Sequence, residues 1–174
     1  IPKLYRVAKV GELERHEWAE LLGRDDFTVA SFYPNTVAWV RENFGVELPY
    51  IPLGLDTDAY GPWTGEDRTI LSIIHSYRER GWHYKEYLDA TRDLPTTHVD
   101  HLDASKPTQG YDDILRALRR SRLYLHDGEQ EYTITLLEAM MTGMPLVSFA
   151  IPGIERYVVH GHNGFVGHSA REIR

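Results

Sequence analysis

Glu138 is the residue in this chain whose spacing best suits a ligand. It stands four positions after Ile134 and three after Thr135, so on a helix the three share one face. If that helix starts near Thr133, its unpaired first-turn amides and positive dipole end suit a phosphate. A carboxylate one turn below can accept from two neighbouring hydroxyls, as on a ribose. The alternative is a glutamate of the N-terminal turn that only complements the helix dipole. Spacing leaves both readings open.

A polyphosphate also needs cations, and the net charge of −7 supplies no overall positive field. The basic cluster must be local. His75-Ser76-Tyr77-Arg78-Glu79-Arg80-Gly81 is a candidate, because a guanidinium fork meets two phosphate oxygens at once and stays charged at physiological pH. Read alone, Arg78 and Arg80 are equally a pair of solvated loop arginines. Arg119, Arg120 and Arg122 read as solvated residues near a helix C-terminus rather than a nucleic-acid patch. His160-x-His162 with His168, and His98-x2-His101, have spacings a metal could use. They lack accompanying cysteine or a His-Glu-x-x-His pattern, so no metal site is assigned. The absence of cysteine excludes a disulfide scaffold and thiol catalysis.

The elements that must position Glu138 run from Leu123 to Phe165. Leu123-Tyr124-Leu125 reads as a buried strand, and His126-Asp127-Gly128 as a break. Ile134, Leu136, Leu137, Ala139, Met140 and Met141 make a helix apolar on nearly every side. Gly143 suits the left-handed stop such a helix needs, and Pro145 to Phe149 is a second buried strand. Strand, loop, helix, strand predicts a parallel sheet, in which ligands collect beyond the carboxyl ends of the strands.

This stretch resembles the donor-binding segment of glycosyltransferase family 4, the retaining GT-B enzymes, with a pattern of roughly E-G-F-G-x3-L-E-A-M-A-x-G-x-P-V-V followed by P-G-x-x-E-x-V-x-x-G-x-N-G. The matches are Leu137, Glu138, Ala139, Met140, Gly143, Pro145, Val147, Pro152, Gly153, Glu155, Val158, Gly161, Asn163 and Gly164. One departure stands out. Gln130 occupies the first position of the E-x7-E motif, with Glu129 and Glu131 beside it. Tyr50-Ile51-Pro52-Leu53-Gly54-Leu55-Asp56 resembles the interdomain passage V-I-P-N-G-V-D, where Gly54 would let backbone approach the cleft and Asp56 would fix the turn. Arg80 falls where the family has a diphosphate-binding lysine, and His75 where it has an arginine. Arg78 is an extra cation. The loop Asp103 to Gly110 falls where the family seats the nucleotide base.

The resemblance implies an α/β fold: a Rossmann-like parallel sheet with helices on both faces, the nucleotide-sugar-binding half of a GT-B fold. Residues 1–52 would be the tail of the acceptor-side domain and the linker, and residues 53–174 the donor-binding domain, with Ile1 and Arg174 as the ends of a fragment. In order, the expected elements are a strand in Lys3 to Val10, a helix in Gly11 to Leu22, a strand at Phe27 to Phe32 and a helix capped by Asn35 running to Phe44. Having lost their sheet partners, these are expected to be less ordered or to pack differently. After a polar linker, Asp58 to Arg68, come strands at Thr69 to Ile74 and Thr97 to Leu102. Between and after them are helices at Trp82 to Asp93, with Tyr84, Tyr87 and Leu88 inward, and at Asp112 to Ser121.

The function implied is transfer of a sugar from a nucleotide diphosphate-sugar to an acceptor hydroxyl, with retention at the anomeric carbon. In that reading Gln130, Glu138 and Arg80 carry the catalysis. Arg78, Arg80, Gly54, Glu131, Tyr132, Thr133, Ile134, Thr135 and Glu138 bind the donor. No metal and no cofactor is expected beyond the nucleotide-sugar substrate. The partners are that donor, a carbohydrate, lipid or other hydroxyl acceptor, and the missing N-terminal domain, but no nucleic acid. The chain alone is expected to bind donor with little turnover. The expected location is cytoplasmic, with the inner face of a membrane as the peripheral alternative. Two other readings are a noncatalytic nucleotide- or sugar-binding module and a GT-B nucleotide-sugar epimerase. A plain dinucleotide-binding domain is disfavoured because no G-x-G-x-x-G follows Ile74. At 42% hydrophobic and 26% charged residues the composition is that of a soluble globular protein, with no apolar run long enough to span a bilayer.

Overall fold

The computed structural model describes residues 3–6, 13–73, 82–99, 110–126 and 133–174. The chain forms two compact units, Ile1–Gly54 and Leu55–Arg174.

In the first unit, β1 (Lys3–Arg6) and β2 (Phe27–Ala30) pair in parallel, Lys3 opposite Phe27. Parallel pairing needs a crossover, and α1 (Arg15–Leu22) lies within it. Residues 7–12, the rest of the expected first strand and the start of the expected helix, lie outside the described residues. The second helix, α2 (Pro34–Phe44), is not capped by Asn35 as expected. Pro34 occupies its first turn and Tyr33 is the N-cap, because proline lacks only an N–H that no intrahelical acceptor would meet there. Gly45 ends α2 at φ +68°. Trp18, Val29, Val40 and Leu48 form the core, with Val37, Trp39 and Phe44 packed against it. The Trp18 and Trp39 rings lie 5.7 Å apart. These elements therefore pack as a unit around two tryptophans.

The second unit is a Rossmann-like α/β layer structure. Its strands are β3 (Asp67–Ile73), β4 (Thr96–Val99), β5 (Ser121–His126), β6 (Leu146–Phe149) and β7 (Gly164–Gly167). They form one five-stranded sheet in the order β4-β3-β5-β6-β7, and every pairing is parallel. The helices are α3 (Trp82–Thr91), α4 (Tyr111–Arg120), α5 (Ile134–Thr142) and α6 (Ala170–Ile173). Successive β5 side chains face opposite sides. Leu125 joins Phe149, Tyr87 and Ala90 in a core that takes in Ala170 and Ile173, which puts α3 and α6 on one face. The other face carries α4 and α5, which bury Leu118, Leu136 and Ala139. A strand covered on both faces has to be apolar almost throughout, as Leu123-Tyr124-Leu125 is.

Two expectations are corrected here. Leu88 is 44% exposed rather than inward, since α3 turns the Tyr87 and Ala90 face to the sheet. The first strand of this unit starts at Asp67 rather than Thr69, because Arg120 at the end of α4 forks onto the Asp67 carboxylate at 3.1 and 3.0 Å and also reaches Glu66 at 3.0 Å. The Tyr84 side chain and residue 74 lie outside the described residues. Among the described residues, no helix is long and apolar enough to cross a membrane.

The turn from β6 to β7 explains several motif residues. Gly153 and Gly161 have φ +92° and +77°, a region that disfavours a Cβ. Asn163 accepts from the Val159 amide and donates to the Tyr157 carbonyl, both at 2.7 Å. A Cβ on Gly164 would stand 2.6 Å from the Leu146 carbonyl oxygen and 2.7 Å from Val158 Cγ1. Gly164→Ala is therefore expected to cost ~1–3 kcal/mol by overpacking. Denaturant unfolding measures this, and a midpoint equal to that of the parent protein would show that β6 and β7 can separate to admit the methyl group.

Candidate functional site

Helix α5 begins where the sequence places it. Thr133 is the N-cap, in extended backbone, and its hydroxyl accepts from the Leu136 amide at 3.1 Å. The Leu137 amide reaches the Thr133 carbonyl at 3.2 Å. That leaves the Ile134 and Thr135 amides at the open end, where an α-helix has no acceptor of its own for them. This end follows β5 and so lies on the carboxyl side of the sheet. Gly143 stops the helix at φ +78°. Ile134 differs from expectation: it is 50% exposed, because at the first helical position it projects past the sheet rather than onto it.

Glu138 is 6% exposed, which rules out a solvated glutamate that only complements the dipole. It sits five residues into α5, beyond the first turn where the dipole acts. A buried carboxylate needs partners, and here they are phenols. The Tyr60 hydroxyl donates to Glu138 Oε1 at 2.9 Å, the Tyr111 hydroxyl lies 3.3 Å from the same oxygen, and the two hydroxyls are 2.9 Å apart. Among the described residues no cation pairs with Glu138. Burial first, then hydrogen bonding to Tyr111 and Glu138, pushes the Tyr60 phenol well above its usual pKa and keeps it a donor.

Sequence reasoning missed both tyrosines. Tyr111 is the first residue of α4, next to the Gly110 N-cap, and is 52% exposed. Tyr60 follows a single 3-10 turn, Thr57–Ala59, that Asp56 caps by accepting from the Asp58 amide at 3.1 Å. The segment after it is a strap fastened to the ends of two helices. Trp63 donates its amide to the Thr142 carbonyl at 2.9 Å and its indole N–H to the Ser121 carbonyl at 2.7 Å. Thr64 and Gly65 donate their amides to the Arg119 carbonyl at 2.8 and 3.2 Å. Gly65, at φ +61°, has no room for a Cβ beside the Trp63 ring. The supposed polar linker is thus a fixed element, and its signal was the pair of aromatics in Tyr60-Gly61-Pro62-Trp63.

Of the remaining expected site residues, Arg78, Arg80, Gln130, Glu131 and Tyr132 lie outside the described residues, as does the 103–109 part of the base loop. Gly54 belongs to the first unit, and a Cβ there would meet nothing within 4 Å, so the fold itself does not require glycine. Among the described residues, no group of three or more His, Asp or Glu could hold a metal ion. His160 instead packs on Phe165 at 4.5 Å and turns Nδ1 to the Val166 backbone. A separate concavity of about 660 Å³ lies at the carboxyl end of β6, between Pro152, Ile154, Val158, His160 and His168.

The raised pKa fixes the sign of one pH effect. The folded state favours the neutral Tyr60 phenol, so its contribution to stability is complete below the ordinary tyrosine value of about 10 and is lost as pH rises through the higher folded value. Absorbance titration at 295 nm is expected to show a late-ionising phase to which Tyr60 contributes, and Tyr60→Phe to reduce that phase by one tyrosine. Superimposable alkaline curves for the two proteins would contradict the assignment.

Residues 100–173 match the family described as glycosyl transferases group 1, which is less than half of the chain. No curated protein sequence matches. Among solved structures, HepE of Anabaena in complex with UDP and glucose is similar with a TM-score of 0.71 at 16% identity, over 99% of this chain and 60% of that one. TarM gives a TM-score of 0.70 at 14% identity, over 99% and 42%. Sucrose-phosphate synthase of Thermosynechococcus elongatus gives 0.62 at 14% identity, over 88% and 48%. The chain thus spans less than two thirds of each of these proteins.

Proposed function

We propose that this chain is the donor-binding part of a group 1 glycosyltransferase, taking a sugar from a nucleoside diphosphate-sugar to an acceptor hydroxyl with retention at the anomeric carbon. The observation that carries the reading is the buried Glu138 one turn below the open amide end of α5, on the carboxyl side of a parallel sheet. The family match runs through this helix and the turn after it. The Anabaena protein of similar fold was solved with UDP and glucose, and again with UDP-glucose, which makes a uridine donor the first to test.

In this reading the diphosphate lies against the Ile134 and Thr135 amides, with the Thr133 side chain bordering it, and the Glu138 carboxylate takes the ribose hydroxyls. Departure of the diphosphate concentrates negative charge on its oxygens, so fixed positive potential there lowers the barrier. Arg80 and Arg78 supply the cations for the diphosphate, which makes a metal unnecessary. Gln130, Glu131 and Tyr132 meet the sugar. The C–O bond to the leaving phosphate breaks as the acceptor oxygen bonds to the anomeric carbon on the same face, and the acceptor's proton passes to the departing phosphate. The acceptor itself, a carbohydrate, lipid or other alcohol, belongs to the partner domain of the complete enzyme, in the cytoplasm or at the inner face of a membrane.

Calorimetric titration with uridine, guanosine and adenosine diphosphates tests the donor site. One of them is expected to bind, and Glu138→Ala to weaken it by ~1–3 kcal/mol through loss of a hydrogen-bonded charge. Unaltered affinity in that variant would overturn the ribose role.

Gln130, in place of the first motif glutamate, favours a second reading, a noncatalytic nucleotide-sugar-binding module. Sugar transfer from a radiolabelled UDP-sugar by the complete parent protein separates the two. Transfer that persists in wild type and falls at least about tenfold, ~1.4 kcal/mol in barrier, in Arg80→Ala is the result expected of an enzyme. Binding with no transfer to any alcohol supports the module.

A further inference from the structure

The protein places two phenols where the proposed function needs a ribose. We infer that the Tyr60 and Tyr111 hydroxyls stand in for a vicinal diol on Glu138, and that a ribonucleoside diphosphate binds by displacing them. The inference rests on the reading of Glu138 as the ribose carboxylate and adds the residues that set its selectivity.

The geometry is that of a diol. Two hydroxyl oxygens 2.9 Å apart both approach Glu138 Oε1, at 2.9 and 3.3 Å. Their protons are too few to satisfy the acid. Each phenol has one, and a carboxylate has about four acceptor sites. The Tyr60 proton goes to Glu138, while the Tyr111 proton is divided between the Tyr60 oxygen and the same carboxylate oxygen. A ribose diol brings the same two protons and can direct one to each carboxylate oxygen, whereas both phenols crowd Oε1, so the exchange keeps the acid hydrogen-bonded without exposing it to water.

The two phenols are unequally held. Tyr111 is 52% exposed and stands at the start of α4, so a change of rotamer carries its ring toward solvent. Tyr60 is half-buried and anchored through the strap that Trp63 pins to Ser121 and Thr142. Tyr111 is therefore the side chain that swings aside first, and Tyr60 the one that yields only to a ligand able to replace its bond to Glu138. A nucleotide lacking the diol has no hydroxyls to put in their place and binds with the phenols still on Glu138, and the pair thereby discriminates ribose from deoxyribose.

Calorimetry on the 174-residue protein tests this with uridine, guanosine and adenosine diphosphates and their 2′,3′-dideoxy counterparts. Tyr60→Phe and Tyr111→Phe keep the rings and remove the competing hydroxyls. The ribonucleotide that binds wild type is expected to bind each variant about tenfold more tightly, since the unliganded acid has lost a hydrogen bond that the ligand restores. Affinity for the dideoxy form is expected to change by less than about twofold, on the same reasoning. Unchanged or weaker ribonucleotide binding in both phenylalanine variants overturns the stand-in role, weaker binding meaning that the phenols touch the ligand directly. Glu138→Ala separates the underlying premise: if it leaves the ratio of ribo to dideoxy affinity intact, Glu138 does not hold the ribose and the proposed function fails at that point. Loss of the ratio in Glu138→Ala with no effect of either phenylalanine sinks only the tyrosine inference. Absence of binding by all six nucleotides to wild type and both phenylalanine variants overturns both. Melting curves of the variants within a few degrees of wild type show that the fold is retained.

Discussion

A carboxylate removed from water is costly unless it is answered by hydrogen bonds, and Glu138 is answered from two distant parts of the chain. One phenol comes from the start of α4 and the other from the strap that crosses the ends of α4 and α5. The strap holds its position because it takes up carbonyls at the end of α4, the start of β5 and the end of α5 that the helices and sheet cannot satisfy. One buried charge thus ties together the strap, two helices and the central strand.

The backbone of this region was legible because it is encoded locally. The apolar run at Leu123-Tyr124-Leu125, the helix from Thr133 and the Gly143 stop each follow from a few neighbouring residues, and each is found in place. What was not legible is long-range. Tyr60 lies 78 residues from Glu138 and Tyr111 lies 27 away, and no periodicity relates side chains across such distances. The misread positions have the same origin. Leu88 and Ile134 are apolar, but helix orientation and end position decided their exposure. Asn35 is a good capping residue that lost the position to Tyr33, because Pro34 fixes the first turn.

Many of the residues that carry the resemblance to glycosyltransferase family 4 serve the fold. Gly143, Gly153 and Gly161 adopt left-handed backbone, Gly164 lets β7 approach β6, and Asn163 closes the turn with two hydrogen bonds. Val158 and Ala139 are buried in the packing. Such a signature reports the architecture first. Glu138 is the matched residue whose surroundings ask for more, since its only polar partners among the described residues are hydroxyls.

The strand order also bears on how the chain assembles. β5, β6 and β7 are adjacent both in sequence and in the sheet, so their pairing closes short loops, while β3 has to meet β5 across the whole of α3, β4 and α4. Short closures sacrifice less chain entropy, and sequence-local contacts form sooner. The block from Ser121 to Gly167 is therefore the natural nucleus, with β3 and β4 adding afterwards to its exposed edge. Glu138 would already be in its helix at that stage, waiting for Tyr60 to arrive with the strap that leads into β3.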